Sequence, residues 1–523
     1  MVAGVESPAG ASKEVLSAAS EDGLRVTLTG GSRPRAAAVF GGISERAEFG
    51  VHNNSINNGR RAVVERVFRS PEGGALVPPP RCSADVPARL GVFARSMATR
   101  LGMHRPVEYD TFVNYYSGRR RTLYANAVAS LRRSPISGID LGVRGAFVKA
   151  EKINFSAKPD PAPRVIQPRT PRYNVEVGRF LRPLEHHIYK AVEDVYGGPT
   201  VMKGYSAEGV AECLVNMWSQ FDSPVAIGLD AKRFDQHVRA EMLQWEHSVY
   251  LSAFRGSDRE FLASLLRAQV RNKCQMRCFD GTIKYVVDGS RMSGDMNTAS
   301  GNCLIMCALI HTLCSERKVR KFRLANNGDD CVLILESRDV AGVLDGLYEW
   351  FLEFGFKMEI EPLVTVFERI VFCQSSPVFD GTRWVMVRDP RISLSKDAIC
   401  LNRNYSWGPG ARKWLGAVGA CGLSMTGGIP VLQDYYSAFL RGGEGGLRWD
   451  PVVHETGMAM LAKGCSRGYR EPADAARVSF WQAFGVTPTE QRSAERYYRQ
   501  LALVIPSTPG VITNSPPTCY RFW

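Results

Sequence analysis

Two uninterrupted apolar runs, VAIGL at 225–229 and CVLIL at 331–335, each touch an aspartate at one end. Runs this short, bounded by turn-forming and polar residues, predict β-strands. FRLA at 322–325 precedes the second run across Asn327-Gly328, a strong turn signal. The two therefore predict a hairpin whose tip carries Asp329 and Asp330. Helical periodicity follows the first run, through FDQHVRAEMLQWEHSVY, and a second helix is expected after Ser300. Val340, Leu344, Leu347, Phe351 and Phe354 fall at helical spacing, with Gly355 as a natural stop. Nearer the N-terminus, VHNNSINNGRRAVVERVF (51–68) predicts an Asn-rich loop and then a helix. Residues 145–183 are basic and broken by prolines, which predicts extended, loop-linked chain and no long helix. Residues 1–45, rich in Ala, Gly and Ser, read as a loose extension. No internal repeat is present.

A length of 523 residues suggests about three or four domain-sized units, and 45% hydrophobic residues can supply their cores. Lysine and arginine outnumber acids 66 to 52, for a net charge of +14. That excess favours a polyanionic partner, nucleic acid or an anionic membrane. The 13 cysteines lie scattered in apolar segments such as GNCLIMCALIHTLC, as expected of buried thiols in a reducing compartment. Cys303, Cys307, His311 and Cys314 share a helical face, and Cys274 with Cys278 forms a C-x-x-x-C. One straight helix cannot wrap four ligands around zinc, so a core face is the better reading. There is no signal-peptide core, and no run approaches the ~18 apolar residues of a membrane span. A soluble chain with no membrane segment is expected.

The acidic hairpin tip alone is ambiguous between a solvated turn and a cation site. A second pair narrows it: GLDAKRFDQHV places Asp230 at the end of a strand and Asp235 five residues later. If that strand neighbours the hairpin, Asp230 and Asp329 meet at the rim of a sheet. Mg²⁺ is typically held by one or two carboxylates plus substrate phosphates. Two such ions would lower the charge on an attacking 3′-hydroxyl and a leaving pyrophosphate. Between the pairs lies DGSRMSGDMNTASGNCLIM, residues 288–306. Ser293-Gly294 permits close backbone approach, and Thr298 and Asn302, four apart, share a helix face. Their small polar side chains, joined by Asp235, could hydrogen-bond a ribose hydroxyl.

SGDMNTASGN, with D-x-x-x-x-D before it and GDD after it, resembles motifs B, A and C of viral RNA-directed RNA polymerases, in the right order and spacing. HNNSINNGRRAVVERVF, FVKAEK, GDDCVLI and FCQSSPVFDG resemble phrases of the tombusvirus and carmovirus group of plant-virus replicases. The likeness runs from about residue 50 to 400. It implies an α+β (mixed α/β) right-hand polymerase. Its domains would be an N-terminal extension (1–45), fingers (46–200), a palm (201–375) with a fingers insertion near 250–287, and a mostly helical thumb (376–523). The palm would be an antiparallel sheet with flanking helices.

By resemblance, Asp230 and Asp329 would hold Mg²⁺, for which Mn²⁺ could substitute, with Asp330 in support. Asp235, Thr298 and Asn302 would recognise the ribose 2′-hydroxyl, and Ser293 and Gly294 would form a mobile loop under the templating pair. Lys149, Lys152, Lys158 and Arg164 would line the NTP channel as motif F, and Lys357 would protonate departing pyrophosphate. FCQSSPV resembles motif E, which supports the primer end. The implied function is replication of a positive-strand RNA genome by template-directed nucleotidyl transfer. Implied partners are an RNA template and product duplex, NTPs, an upstream viral replication protein and host factors. Location would be the host cytoplasm, on membrane-bound replication complexes reached through another protein, since the membrane anchors usual in the upstream part are not present here. Two rivals stand beside this reading: a reverse transcriptase, and a non-catalytic RNA-binding replication protein. Tyr520 and Trp523 are candidates for an initiation platform.

Overall fold

The computed structural model describes residues 1–40, 49–444 and 457–509; Tyr520 and Trp523 lie outside the described residues. Its centre is a four-stranded antiparallel sheet in the order Phe322–Asn326, Asp330–Glu336, Pro224–Ala231, Met358–Ile360. Alternate residues enter two different cores. Val225, Ile227, Leu229, Leu333 and Leu335 join the helices Pro171–Tyr196, Ala240–Ser252 and Thr298–Glu316. Ala226, Val332 and Ile334 join Leu214, Met217 and Phe372 on the other side. With both faces covered, the strands read as continuous apolar runs where a half-exposed antiparallel strand would alternate. Each buried leucine contributes about 2 kcal/mol to this arrangement.

Thr298–Glu316 is the one described helix long and apolar enough to cross a membrane. Here it is interior: 78% of its apolar window is buried in the fold. Cys303, Cys307 and Cys314 lie on it as fully buried side chains. They pack there among Leu304, Ile305, Leu309 and Leu313 in the largest apolar core.

Three expectations need correction. The proline-rich stretch does not stay extended to residue 183, because a 26-residue helix starts at Pro171. Thr170 caps it by accepting from the Tyr173 N–H at 3.2 Å, and Pro171 sits in the first turn, where its missing N–H costs nothing. Pro183 lies inside the helix, which is held by an extensive buried face. Next, the helix expected over 340–354 is two, Ser337–Leu344 and Leu347–Glu353, broken at Gly346 with φ +59°.

The third correction concerns the N-terminus. Residues 1–40 are not a loose extension. Arg25–Leu28 pairs with 281–284 at the edge of a five-stranded sheet. That sheet continues through Arg271–Cys278, Val143–Val148 and Val165–Ile166. Ala36–Val39 then pairs with Val2–Ala3 on one side and with Ile399–Cys400 on the other. Composition suggested looseness, but small side chains are what allow this close approach: Ala36, Ala37 and Ala38 are all buried.

The C-terminal part begins with a hairpin, Ser375–Phe379 with Trp384–Arg388, followed mainly by helices around Trp414, Tyr435 and Phe480. Phe40 belongs to the same core, its ring centroid 5.2 Å from that of Trp414. Phe40→Ala is therefore expected to destabilise the fold by about 3–5 kcal/mol. Urea or thermal unfolding would check it; an unchanged midpoint would mean that the N-terminal segment carries no packing.

Candidate active site

Asp230 is where the buried strand Pro224–Ala231 first reaches solvent. The register sets it opposite Asp330 on one side and Glu359 on the other. Directly opposed residues share a face, with Cβ atoms about 5 Å apart. Asp329 stands exposed at the hairpin tip beside them. Burial raises the pKa of the Asp230 carboxyl, and the charges of Asp329 and Glu359 raise it further, while Lys158 and Lys232 pull it down. Asp330 is pushed up to about 6, first by burial and then by Asp329, Glu361 and Asp230; the Cys373 N–H, donating at 3.0 Å, opposes the shift. The three aspartates thus form an open, acidic rim and not a closed cage.

The tip is rigid. Asn326, fully buried, accepts from the Gly328 N–H at 3.1 Å and donates to the Gly328 carbonyl at 2.7 Å. Gly328 has φ +102°, a conformation that favours glycine. Lys203 Nζ donates to the Asn327 carbonyl at 3.2 Å.

Beside the rim, Asn302 Nδ2 donates to Asp235 Oδ1 at 2.9 Å, while its Oδ1 accepts from Arg291 Nε at 3.0 Å. Arg291 in turn pairs with Glu246, both side chains fully buried. Glu246 also accepts from Asn297 Nδ2 at 2.8 Å and from the Tyr250 hydroxyl at 2.7 Å. Burial raises the Asp235 pKa, and the Asn302 hydrogen bond and Arg291 charge oppose the rise. Thr298 is not directed at this pair: its Oγ1 lies 2.9 Å from the carbonyls of Met292 and Asp295, within its own loop.

That loop docks on the extended segment before Pro171. Ser293 Oγ donates to the Val165 carbonyl at 3.2 Å and accepts from the Gln167 N–H at 3.3 Å. Gly294 bridges Pro168 so closely that a Cβ would fall 2.6 Å from Pro168 Cα. Arg169, wholly buried, holds the same loop through Asp295 at 2.5 Å and also donates to the Leu141 carbonyl at 2.7 Å.

The basic residues divide. Lys158 is exposed and its charge reaches Asp230; the charge of Arg164 reaches Asp235. Lys149 and Arg164 share Glu151, at 3.4 and 3.5 Å. Lys152 turns away from the carboxylates: Nζ donates to the Lys396 carbonyl at 2.8 Å and lies 5.8 Å from the centroid of Trp414. Burial lowers its pKa to about 8. Lys357 is paired with Glu72 at 2.5 Å.

The family model described as viral RNA dependent RNA polymerase matches residues 26–505. The chain belongs to that family. It is 45% identical over 479 residues to the RNA-directed RNA polymerase of turnip crinkle virus, covering 90% of this chain and 61% of the relative. Identity is 47% over 476 residues to that of melon necrotic spot virus, covering 89% and 59%. For carnation mottle virus it is 43% over 490 residues, covering 93% and 62%. The chain thus spans about three-fifths of the length of these curated relatives.

Several residues of this polymerase-family site went unread in the sequence: Glu246, Arg291, Arg169, Asp295 and Asn326. One signal was present. Glu246 lies three or four positions from Met242, Leu243, Val249 and Tyr250, so a charge sat on an apolar helix face.

Asp330 gives a pH test. Its pKa is raised in the fold, so ionisation opposes folding, and the penalty grows as pH rises from the ordinary carboxylate range to about 6. Asp330→Asn, which can still accept from Cys373, should raise Tm above pH 6 in chelator, with the gain shrinking towards pH 4. A gain independent of pH would contradict the assignment.

Proposed function

We propose that the chain catalyses template-directed RNA synthesis: a 3′-hydroxyl oxygen bonds to the α-phosphorus of an NTP as the bond to pyrophosphate breaks. The observation that carries this reading is the meeting of Asp230, Asp329 and Asp330 at one sheet rim, beside the Asp235–Asn302 pair. Carboxylate oxygens that repel one another, with Lys158 and Lys232 nearby, suit a hard divalent cation, although among the described residues no three such groups stand close enough to close a site unaided. Asp230 and Asp329, supported by Asp330, would hold Mg²⁺ or Mn²⁺, which when bound lowers the charge on the attacking and leaving oxygens. Substrate phosphates would complete the coordination that three carboxylates leave open.

The protein's own groups then bind and orient. Asp235 has Oδ1 engaged by Asn302, which leaves Oδ2 to accept from a ribose 2′-hydroxyl. Lys158, Arg164 and Lys149 would meet the triphosphate, Arg164 as a planar fork and the lysines as point charges. Lys152 has no part in this step as placed. Lys357 could donate a proton only after leaving Glu72. Template and product duplex would be held through their phosphates, without sequence readout. Recruitment to membranes in the host cytoplasm would fall to an upstream replication protein and host factors.

Incorporation of labelled NTPs on an RNA template, with Mg²⁺ or Mn²⁺, tests the proposal. Asp329→Asn should lower the rate at least about a hundredfold. Full activity in that variant would end the reading, and a preference for dNTPs would favour a reverse transcriptase. Asn302→Ala, which frees Asp235 to turn, should narrow the preference for NTP over dNTP by about tenfold.

A further inference from the structure

The five-stranded sheet, which would be the fingers sheet of a right-hand polymerase, has a second face that the active site does not use. Cys274, Met276, Ile283, Tyr285 and Val287 point inward, into a core shared with Met292 of the active-site loop. The alternate residues on the same strands point outward. Across them the register makes one straight row: Arg25 opposite Lys284, Lys284 opposite Gln275, Gln275 opposite Arg144. Three strand intervals at about 4.8 Å each make the row roughly 14 Å wide. A groove of about 770 Å³ lies over it, bordered also by Lys273 and Val286.

The charges in this row are unmatched. Among the described residues no carboxylate forms an ion pair with Arg25, Lys284, Arg144 or Lys273, and the nearby acids are already engaged. Asp22 is held by Arg69 at 2.8 Å, and Asp288 by Arg271 at 3.0 Å. Arg25 and Lys284 directly face each other, a like-charge cross-strand pair that costs stability. A polyanion laid along the row would relieve that repulsion and release counterions. Apolar side chains stand between and beside the charges, with Val286 45% and Ile139 67% exposed. They offer contacts to unstacked bases that a duplex would not present.

We infer that the outer face of the fingers sheet binds the backbone of single-stranded RNA, at a place separate from the groove holding the aspartates. The site would engage template or product beyond the reacting end. It goes beyond the proposed catalysis, and binding at it requires neither NTP nor divalent cation.

The test is anisotropy of a fluorescein-labelled single-stranded RNA with the 523-residue chain, in chelator, across a salt series. The variant carries Arg25→Gln, Lys284→Gln and Arg144→Gln, all exposed positions. A control removes the same charge at scattered exposed sites, with Lys13→Gln, Lys190→Gln and Arg492→Gln. In the row variant, affinity should fall at least about tenfold and the log–log salt slope should shrink by about 2, as three lost phosphate contacts imply. The control should change little. Incorporation at saturating template should be unchanged in the row variant, which separates this proposal from the catalytic one. Equal losses in both variants, or none in either, would overturn the inference. So would a row variant that lost binding to phosphatidylglycerol-containing vesicles while keeping its RNA affinity.

Discussion

The register that sets Asp230 against Asp330, with Glu359 on the other flank, is electrostatically unfavourable. Two unit charges 4 Å apart repel by about 1 kcal/mol in water and about 4 kcal/mol at the effective dielectric of a protein surface. What holds them together is the apolar ladder beneath: Val225 opposite Leu335, Ile227 opposite Leu333, Leu229 opposite Cys331. A slip of one residue would exchange every side chain between the two cores and carry Asp230 away from the rim. The sheet is buried on both faces, so either core would be ruined by that slip. The raised pKa values of Asp230 and Asp330 express the same conflict, an acidic edge imposed by hydrophobic burial.

A second framework lies alongside and works through ions instead of apolar contact. Arg291–Glu246 and Arg169–Asp295 are both wholly buried pairs. Burying such pairs costs about as much in desolvation as their attraction returns, so they are weak grounds for stability. Their geometry has a clearer consequence. Arg291 fixes the Asn302 amide, and the amide fixes Asp235; Arg169 fixes Asp295, whose loop carries Ser293 and Gly294 onto Val165 and Pro168. Removing one partner would leave an uncompensated buried charge, typically a loss of 3–5 kcal/mol. The framework therefore specifies where the loop sits more than how stable the whole chain is.

This division explains what the sequence made legible. Short apolar runs ending in Asp230 and beginning after Asp330 were visible because a strand buried on both faces leaves an unbroken apolar signature. The turn at Asn327-Gly328 was visible because only a few residues tolerate its backbone. The long-range partners of charged side chains had no such local mark: nothing near Arg169 announces Asp295, 126 positions away. For the same reason Lys152 was read with its basic neighbours, although the fold turns it against the Lys396 carbonyl and Trp414. Tertiary context also overrode local grammar at Pro171, a helix start inside a proline-rich text, and at Ala36–Val39, whose small residues form a strand between Val2–Ala3 and Ile399–Cys400.

One connection joins the acidic rim to the hairpin of Ser375–Phe379 and Trp384–Arg388. Cys373 and Gln374 are consecutive non-glycine residues with φ +52° and +61°, a conformation costing about 1 kcal/mol or more each. The strain is held by bonds at both ends: the Cys373 N–H donates to Asp330, and the Asp389 N–H donates to the Gln374 carbonyl at 3.0 Å. Asp389 follows the hairpin directly, so this turn is the joint between it and the carboxylates. The Cys373 hydrogen bond opposes the effect of burial at Asp330, so its loss would raise that carboxyl's proton affinity further. Hairpin and rim are thus joined through the Cys373 N–H.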